Sequence, residues 1–243
     1  MATDLPRPAF YALRPGGWRD YVTLLHPPYT AWHLSYVVIG AAVSPAFDAG
    51  RTGAALAAFL LAVGIGAHAL DELHGRPLRT DIPSPVLVAL AAGSIGAAVA
   101  IGTVAAAVVD PWIGLFVAAG AFLVVAYNLE LAGGRFHTDA WFALAWGGFP
   151  VLTGAFASAG TIRAEAALAA LFATALSLAQ RRLSTHVRGI RRDVRAIRGT
   201  VDRHGGSEEL TRGHLTDAPE AALRLLAVST VLLACSLAAL RAT

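Results

Sequence analysis

Residues 67–83 read AHALDELHGRPLRTDIP, and they follow a wholly apolar run at residues 54–66. A helix that buried this run in a membrane would end among charged side chains. His68, Asp71 and Glu72 are spaced i, i+3 and i+4, so on a helix they share one face. Ionisable groups at the edge of hydrocarbon are costly, which makes them candidates for function. The stretch therefore predicts a membrane helix that ends in a polar site.

The composition indicates an integral membrane protein. Of the 243 residues, 56% are hydrophobic and 14% are charged, and the mean hydropathy is +0.59, values typical of membrane proteins. The chain has no lysine, which excludes Schiff-base chemistry, and its single cysteine excludes an internal disulfide and a thiolate metal site. The N-terminal residues contain no apolar core, so we expect no cleavable signal peptide. We predict a polar leader at residues 1–20 and one transmembrane domain at residues 21–243.

Apolar segments along the chain predict an all-α, polytopic bundle of about seven spans. A helix needs about 20 apolar residues to cross about 30 Å of hydrocarbon. The segments lie at residues 29–47, 53–72, 84–109, 112–131, 139–158, 164–180 and 218–240.

The arginines divide unequally between the two sides of this predicted bundle. The leader and the loops after the second, fourth and sixth segments carry fifteen of them, whereas the other side carries Arg51, Arg163 and Arg241. The positive-inside rule therefore predicts a cytoplasmic N-terminus and an external C-terminus, in a bacterial inner membrane. Four polar groups would then share the cytoplasmic side and form a site that faces the cytoplasm: residues 26–33, 68–79, 127–139 and 180–198.

The charged cluster that ends the second segment is the first candidate site. His68, Asp71 and Glu72 could bind a divalent ion, since carboxylates and imidazole suit Mg²⁺, Mn²⁺, Fe²⁺ or Zn²⁺. Arg76 and Arg79 could hold anionic oxygens through bidentate contacts. The alternative is a polar helix end followed by a basic loop that reaches lipid headgroups.

A second candidate group lies around the turn between the fourth and fifth segments. Tyr127, Asn128 and Glu130 precede this turn, and His137 follows it. Their side chains could complete a metal site or act as acid and base, or they could be ordinary interfacial residues. Trp146, in the aromatic fifth segment, could line an isoprenoid pocket or simply pack in the core.

Residues 181–201 predict a basic amphipathic helix, because their apolar side chains recur every three or four residues. Such a helix would lie on anionic lipids of the cytoplasmic leaflet, and residues 202–217 would form a polar linker. Arg181 or Arg188 could instead contribute to binding a substrate diphosphate. No nucleic-acid recognition fold accompanies the charge, so we expect no nucleic-acid partner.

With these residues in view, the chain resembles the UbiA-type intramembrane prenyltransferase superfamily over about residues 20–200. Five stretches carry the resemblance in order: LLHPPYTAWHLSYVVIGAA at 24–42, AHALDELHGRPLRTDIPSP at 67–85, AYNLEL at 126–131, WFALAWGGFPVLTGAF at 141–156 and LAQRRLSTHVRG at 178–189. In the same order, they resemble that family's first helix, its first Asp-rich motif, the end of its helix 4, its helix 5 and its second Asp-rich motif.

The resemblance implies Mg²⁺-dependent chemistry on a prenyl diphosphate, with changes at the motif positions. Asp71 matches the second aspartate of the first motif, whereas His68 and Gly75 stand at the first and third. In the second motif the acidic positions are taken by Gln180, Ser184 and Arg188.

From the resemblance we expect a divergent UbiA-like enzyme that acts on an isoprenoid or other lipidic substrate. His68, Asp71 and Glu72 would hold the metal. Phosphate would be bound by Arg76, Arg79, Arg181 or Arg188. Two alternatives remain open: a UbiA-like scaffold that holds Fe or Zn for redox or hydrolytic chemistry, and a non-catalytic isoprenoid- or lipid-binding membrane protein.

Overall fold

The computed structural model describes residues 7–242, the last of them by its backbone alone, so residues 1–6 of the predicted leader lie outside the described residues. The elements are α1 (Trp18–Leu24), α2 (Pro27–Val43), α3 (Ala49–Leu73), α4 (Ser84–Val108), α5 (Ile113–Asn128), α6 (Asp139–Ala159), α7 (Ala164–Arg192), β1 (Thr200–Arg203), β2 (Gly206–Glu209) and α8 (Arg212–Ala242). A four-residue turn, Leu131–Gly134, follows α5. Two helices contain a π-helical segment, Leu60–Ala67 in α3 and Leu144–Gly148 in α6.

Four helices in the described part of the chain are long and apolar enough to cross a membrane, namely α3, α4, α6 and α8. This finding supports the predicted class, a helical membrane protein. The helices α2 and α5 are shorter, with 17 and 16 residues, and α7 carries arginines in its second half. The number of spans therefore stays a prediction, as does their orientation.

Local sequence signals define the helix ends that carry the polar residues. His26 adopts a left-handed backbone conformation directly before Pro27, and proline is favoured in the first turn of a helix. At the start of α6, the side chain of Thr138 accepts a hydrogen bond from the backbone N–H of Trp141 at 3.3 Å, as an N-cap does. These two ends lie beside the residues discussed below.

The main core surrounds α2, which packs most extensively against α6 and α8. Trp32 and Tyr36 are completely buried there. The indole N–H of Trp32 donates to the Tyr36 hydroxyl at 2.6 Å, and the Ser177 hydroxyl donates to the same oxygen at 3.3 Å. A polar contact thus joins α2 to α7 inside the apolar core.

The prediction for residues 181–201 is wrong in the extent of the helix. The sixth apolar segment and the basic residues form one helix, α7, that ends at Arg192. The chain then becomes irregular. The β-hairpin and the start of α8 occupy the predicted linker at residues 202–217.

The apolar stripe of that segment faces protein and not a lipid surface. Val187 belongs to the main core, and Leu183 packs against it. The reason is that α8 begins at Arg212 and runs back along α7. Arg191 and Glu220 form an ion pair between these two helices. Binding of anionic lipids elsewhere on the surface stays a prediction.

Candidate functional site

Polar residues from six parts of the chain meet at one end of the bundle, and we call them the polar cluster. The parts are the N-terminal segment, the start of α2, the end of α3, the end of α5, the segment just before α6 and the second half of α7. The contacts and electrostatic interactions join Tyr11, His26, His33, His68, Asp71, Tyr127, His137, Arg188 and Arg192. Gln180 is included because its four-residue spacing places it on the same face of α7 as Arg188 and Arg192. The predicted convergence of distant polar groups is therefore present in the structure.

The carboxylate of Asp71 forms no hydrogen bond and no ion pair with any described residue. Arg188 and Arg192 nevertheless act on it electrostatically. Neither arginine has a carboxylate partner among the described residues: Arg188 donates to the Thr185 hydroxyl at 3.2 Å, and Arg192 to the Pro8 carbonyl at 3.4 Å. All three charged side chains are half-buried, and the two guanidinium groups have N–H donors that can bind an anion.

Two histidines of the cluster are held by carbonyls in the π-helical segments. The Nδ1 of His68 lies 3.1 Å from the Gly64 carbonyl, and the Nδ1 of His33 lies 2.8 Å from the Trp146 carbonyl. A carbonyl oxygen can only accept, so both Nδ1 atoms carry the proton and both Nε2 atoms are acceptors. Single π-helical turns occur frequently at functional sites, and here they orient imidazole rings.

The ring of His26 stacks on that of His68, with centroids 4.0 Å apart and planes 9° from parallel. The Tyr11 hydroxyl lies 2.8 Å from the His26 Nδ1. Burial, with Tyr29 adding to the effect, raises the pKa of Tyr11 above its ordinary range. Burial and the neighbouring His68 lower the pKa of His26 well below its ordinary value. Tyr11 is therefore protonated and His26 neutral.

The hydrogen bond between these two side chains has a defined direction. The only partner of the Tyr11 hydroxyl among the described residues is the His26 Nδ1, and a buried O–H that donates to nothing is costly. Tyr11 therefore donates, and the proton of neutral His26 lies on Nε2. That Nε2–H is buried and has no acceptor within the described chain.

Two more buried polar atoms of the cluster have no partner among the described residues, the Tyr127 hydroxyl and the Gln180 Oε1. Tyr127 is 7% exposed and Gln180 is 2% exposed. Buried polar atoms nearly always have a hydrogen-bond partner, and an exception calls for a bound molecule or water. The Nε2–H of His26 makes a third such atom in the same region.

Glu72, which the sequence analysis predicts as a metal ligand, binds the loop that follows α3. Its carboxylate is completely buried and accepts three hydrogen bonds at 2.9 Å, from the backbone N–H of Leu78 and from the N–H and hydroxyl of Thr80. Both oxygens thus hold the loop after α3 in place. Within residues 7–242, no three His, Cys, Asp or Glu side chains are placed to hold a metal ion. The predicted metal set of His68, Asp71 and Glu72 therefore stays a prediction, and the chemistry below uses no metal.

The two loop arginines predicted to bind phosphate have different surroundings. Arg76 donates to the Ile82 carbonyl at 2.5 Å and to the Ser84 hydroxyl at 2.7 Å, so its guanidinium closes its own loop. The backbone N–H of Arg79 donates to the Arg76 carbonyl at 3.0 Å, whereas its guanidinium forms no hydrogen bond or ion pair with the described residues. Both have left-handed backbones, with φ of 53° and 57°, which is uncommon for residues other than glycine.

The second predicted group forms the rim of the cluster. His137 stacks on Tyr127 at 4.3 Å and binds the Tyr127 carbonyl through Nδ1 at 3.0 Å. Arg181 pairs with Asp139 at 3.2 Å and lies over the ring of Phe142. Glu130 lies 3.9 Å from the ring of His137 and is largely exposed.

Two of the predicted substrate-binding side chains turn back onto their own helices. The Asn128 amide donates to the Val124 carbonyl at 2.8 Å, and the Ser184 hydroxyl donates to the Arg181 carbonyl at 3.2 Å. The structure gives neither a contact with the rest of the cluster.

An apolar groove of about 600 Å³ lies between α3, α4, α5 and α6. It extends from Gly50 to Val63 along α3, a length of about 20 Å at 1.5 Å per residue. Its inner end is formed by Trp146, whose ring packs on that of Tyr127 at 4.6 Å. The groove and the polar cluster therefore meet at these two rings.

Tyr11 and Arg192 belong to the cluster but were not predicted from the sequence. Tyr11 lies in the polar leader, where no periodic pattern singles it out. Arg192 had a signal: Gln180, Ser184 and Arg188 recur every four residues, and the same spacing leads to Arg192. On a helix such residues share one face.

Comparisons of the chain with protein-family models, with curated proteins and with solved structures found no match. The resemblance to the UbiA-type superfamily therefore rests on the five quoted stretches alone.

Proposed function

We propose that the protein is a divergent UbiA-like membrane enzyme that acts on an isoprenoid diphosphate. The apolar chain would lie in the groove, and the anionic head would lie in the polar cluster. The observation that carries this proposal is the absence, among the described residues, of any carboxylate paired with Arg188 or Arg192, although Asp71 lies within electrostatic range.

The donors of the cluster suit an anion with several oxygens. Guanidinium groups form bidentate, charge-assisted hydrogen bonds to phosphate. Burial lowers the pKa of Arg192, and so does the neighbouring like charge of Arg188. An anion between them would relieve this repulsion. The unpaired Nε2–H of His26 would supply one further donor.

The boundary between groove and cluster suits the reacting carbon. Tyr127, Phe142 and Trp146 pack together there, with the last two rings 5.7 Å apart and 6° from parallel. Aromatic faces attract cations, so these rings would stabilise the allylic cation that forms as the carbon–oxygen bond breaks and its electron pair leaves with the diphosphate. The cation would then bond to the oxygen of water, which loses a proton, or to a nucleophile of a second substrate. The arginines would stabilise the negative charge on the departing diphosphate.

The carboxylate of Asp71 would stabilise the same allylic cation from the side of the polar cluster. It is within electrostatic range of Tyr127, and no described residue neutralises it through an ion pair. A carboxylate aimed at a site where positive charge develops stabilises the transition state more than the ground state.

The test uses the purified full chain in nanodiscs with farnesyl diphosphate as the probe. Equilibrium binding and release of inorganic diphosphate are measured for the wild type, Asp71→Asn and Arg188→Gln. We expect Arg188→Gln to weaken binding about tenfold, as loss of a charge-assisted contact would. We expect Asp71→Asn to bind but to release diphosphate about 100-fold more slowly, as for the loss of one electrostatic group.

Two exposed residues provide matched controls, Asp81→Asn for the carboxylate and Arg195→Gln for the guanidinium. Neither should change binding or release. A wild-type protein that does not bind farnesyl diphosphate would overturn the proposal.

A second candidate, a non-catalytic isoprenoid-phosphate binding protein, is favoured by one observation. Of the two neighbouring acids at the end of α3, Glu72 is committed to the loop, so Asp71 alone remains for chemistry. Tight binding of farnesyl diphosphate with no release of diphosphate by the wild type would support this second function.

A further inference from the structure

We propose that residues 7–13 form a strap that covers the polar cluster and must move before an anionic head can bind. This inference rests on the proposed function and adds its regulation. The strap precedes the first helix and contains no helix or strand, yet Ala9 and Ala12 are 5% and 1% exposed. Such burial of a short irregular segment shows that it is packed onto the bundle.

Tyr11 is the part of the strap that enters the cluster. Its hydroxyl donates to His26 at 2.8 Å, and its ring packs edge-on against Tyr29 at 5.4 Å. Arg188 and Arg192 both act electrostatically on this hydroxyl. Tyr11 thus lies within range of the two arginines that the proposed function assigns to the anionic head.

Backbone carbonyls of the strap take the place of anion oxygens. Arg192 donates to the Pro8 carbonyl, and Arg191 donates to the Arg7 carbonyl, each at 3.4 Å. Both bonds are longer than the usual 2.7–3.2 Å of such contacts and are correspondingly weak. A phosphate oxygen would form charge-assisted bonds about twice as strong as those to neutral acceptors, so an anion can displace the strap from Arg192.

Few other bonds hold the strap. Its backbone forms one internal turn, from the Ala12 N–H to the Ala9 carbonyl, and one bond from the Leu13 N–H to the Thr23 hydroxyl at 3.0 Å. A segment with few hydrogen bonds opens more readily than a regular helix, and the remaining contacts of the strap are the rings of Phe10 and Tyr11 against the main core. Phe10 adds a contact with the guanidinium of Arg224, 4.9 Å from the ring centre, outside the polar cluster.

A closed strap would lower the apparent affinity for the head in proportion to the fraction of molecules that are open. Weakening the strap should therefore tighten binding. The ligand chemistry is a phosphate or diphosphate group, which could belong to a prenyl diphosphate, to free diphosphate or to an anionic lipid headgroup.

The experiment compares Tyr11→Phe with the wild type in nanodiscs of zwitterionic lipid. Farnesyl diphosphate binding is measured together with hydrogen exchange of the backbone amides at residues 9–13. We expect Tyr11→Phe, which loses only the hydroxyl, to bind about fivefold more tightly, since one lost hydrogen bond corresponds to about that factor. We expect farnesyl diphosphate to increase amide exchange of the strap in the wild type.

Tyr11→Ala should have a larger effect, and its melting temperature shows whether the bundle remains folded. Tyr21→Ala, an exposed tyrosine on α1, is the matched control and should leave both readouts unchanged. Faster strap exchange with inorganic diphosphate would show that the head alone opens it. Faster exchange in nanodiscs with phosphatidylglycerol, without added ligand, would assign the opening to lipid headgroups.

The failures can be told apart. Equal affinities of wild type and Tyr11→Phe for farnesyl diphosphate, with unchanged strap exchange, would overturn the strap and leave the proposed function intact. No binding by either protein would overturn the proposed function and the strap with it.

Discussion

Gly40 on α2 and Gly154 on α6 each face the backbone of the opposite helix. A Cβ atom on Gly40 would overlap the Val151 carbonyl, and a Cβ on Gly154 would overlap the Val37 carbonyl. The two helices therefore approach as closely as backbones can, as small residues allow in membrane helices. This contact fixes α2 relative to α6, and with it the distance between His33 and Trp146.

We predict that Gly40→Ala destabilises the protein by about 1–3 kcal/mol, the usual cost of overpacking a core. The added methyl group meets backbone and not a flexible side chain, so it cannot be accommodated by a rotamer change. The measurement is thermal or denaturant unfolding in detergent. Gly53→Ala is the control, because a Cβ there meets nothing within 4 Å. Equal stability of the two variants would refute the close approach.

The role of Glu72 in the loop leads to a second prediction. Glu72→Gln replaces an oxygen that accepts hydrogen bonds with an N–H₂ group that cannot, and it leaves a buried donor of the loop unpaired. We expect a loss of about 1–3 kcal/mol in unfolding free energy and faster hydrogen exchange of the amides of Leu78 and Thr80. Unchanged exchange at these two amides would contradict the structural role.

Binding of the anionic head should tolerate removal of divalent ions. The predicted ligand Glu72 is occupied by the loop, whereas Arg188 and Arg192 can bind the anion directly. We expect the dissociation constant of farnesyl diphosphate to change less than about threefold, or about 0.7 kcal/mol, when EDTA replaces Mg²⁺. A loss of binding in EDTA, restored by Mg²⁺, would return the metal site to consideration.

The class of the protein and the region of the site could be predicted from the sequence, because hydropathy and the placement of charged residues at helix ends reflect the bilayer directly. The roles of individual residues could not. Glu72 and Asp71 are adjacent and chemically alike. The Glu72 carboxylate accepts hydrogen bonds from the loop, whereas the Asp71 carboxylate lies within electrostatic range of two arginines. Which of them is free depends on how residues 78–80 fold back, a tertiary detail that no periodic pattern carries.

The stripe on α7 shows the same limit. Its spacing correctly predicted a helix with one apolar face through Val187, but two surfaces could cover that face, lipid or protein. In the structure α8 packs along that face, and α8 begins more than twenty residues after Val187.

The buried, neutral state of His26 predicts how stability depends on pH. Because the pKa of His26 is lowered well below 6.5 in the folded protein, the unfolded chain binds more protons below about pH 6.5. The contribution of His26 to the free energy of unfolding should therefore be fully present above that pH. It should fall as the pH decreases, by up to about 1.4 kcal/mol per pH unit.

The measurement for His26 is unfolding at pH 7.5, 6.5 and 5.5. His26→Gln should show a shallower loss of stability than the wild type, whereas His204→Gln, at an exposed position in the hairpin, should show the same slope. Parallel profiles of His26→Gln and the wild type would mean that His26 is not held neutral.

The groove gives the last prediction, which separates the chain of the ligand from its head. Ala58 lines the groove, whereas Ala57, the preceding residue of α3, is exposed. Ala58→Phe would fill part of the groove, and we expect about tenfold weaker binding of farnesyl diphosphate, which corresponds to the loss of about two buried CH₂ groups. Binding of inorganic diphosphate should not change, because Arg188 and Arg192 lie beyond Trp146.

Ala57→Phe, with the same added ring at that exposed position, should bind both ligands as the wild type does. If Ala58→Phe weakened both ligands equally, the groove would not hold the chain, and the effect would be one of general misfolding.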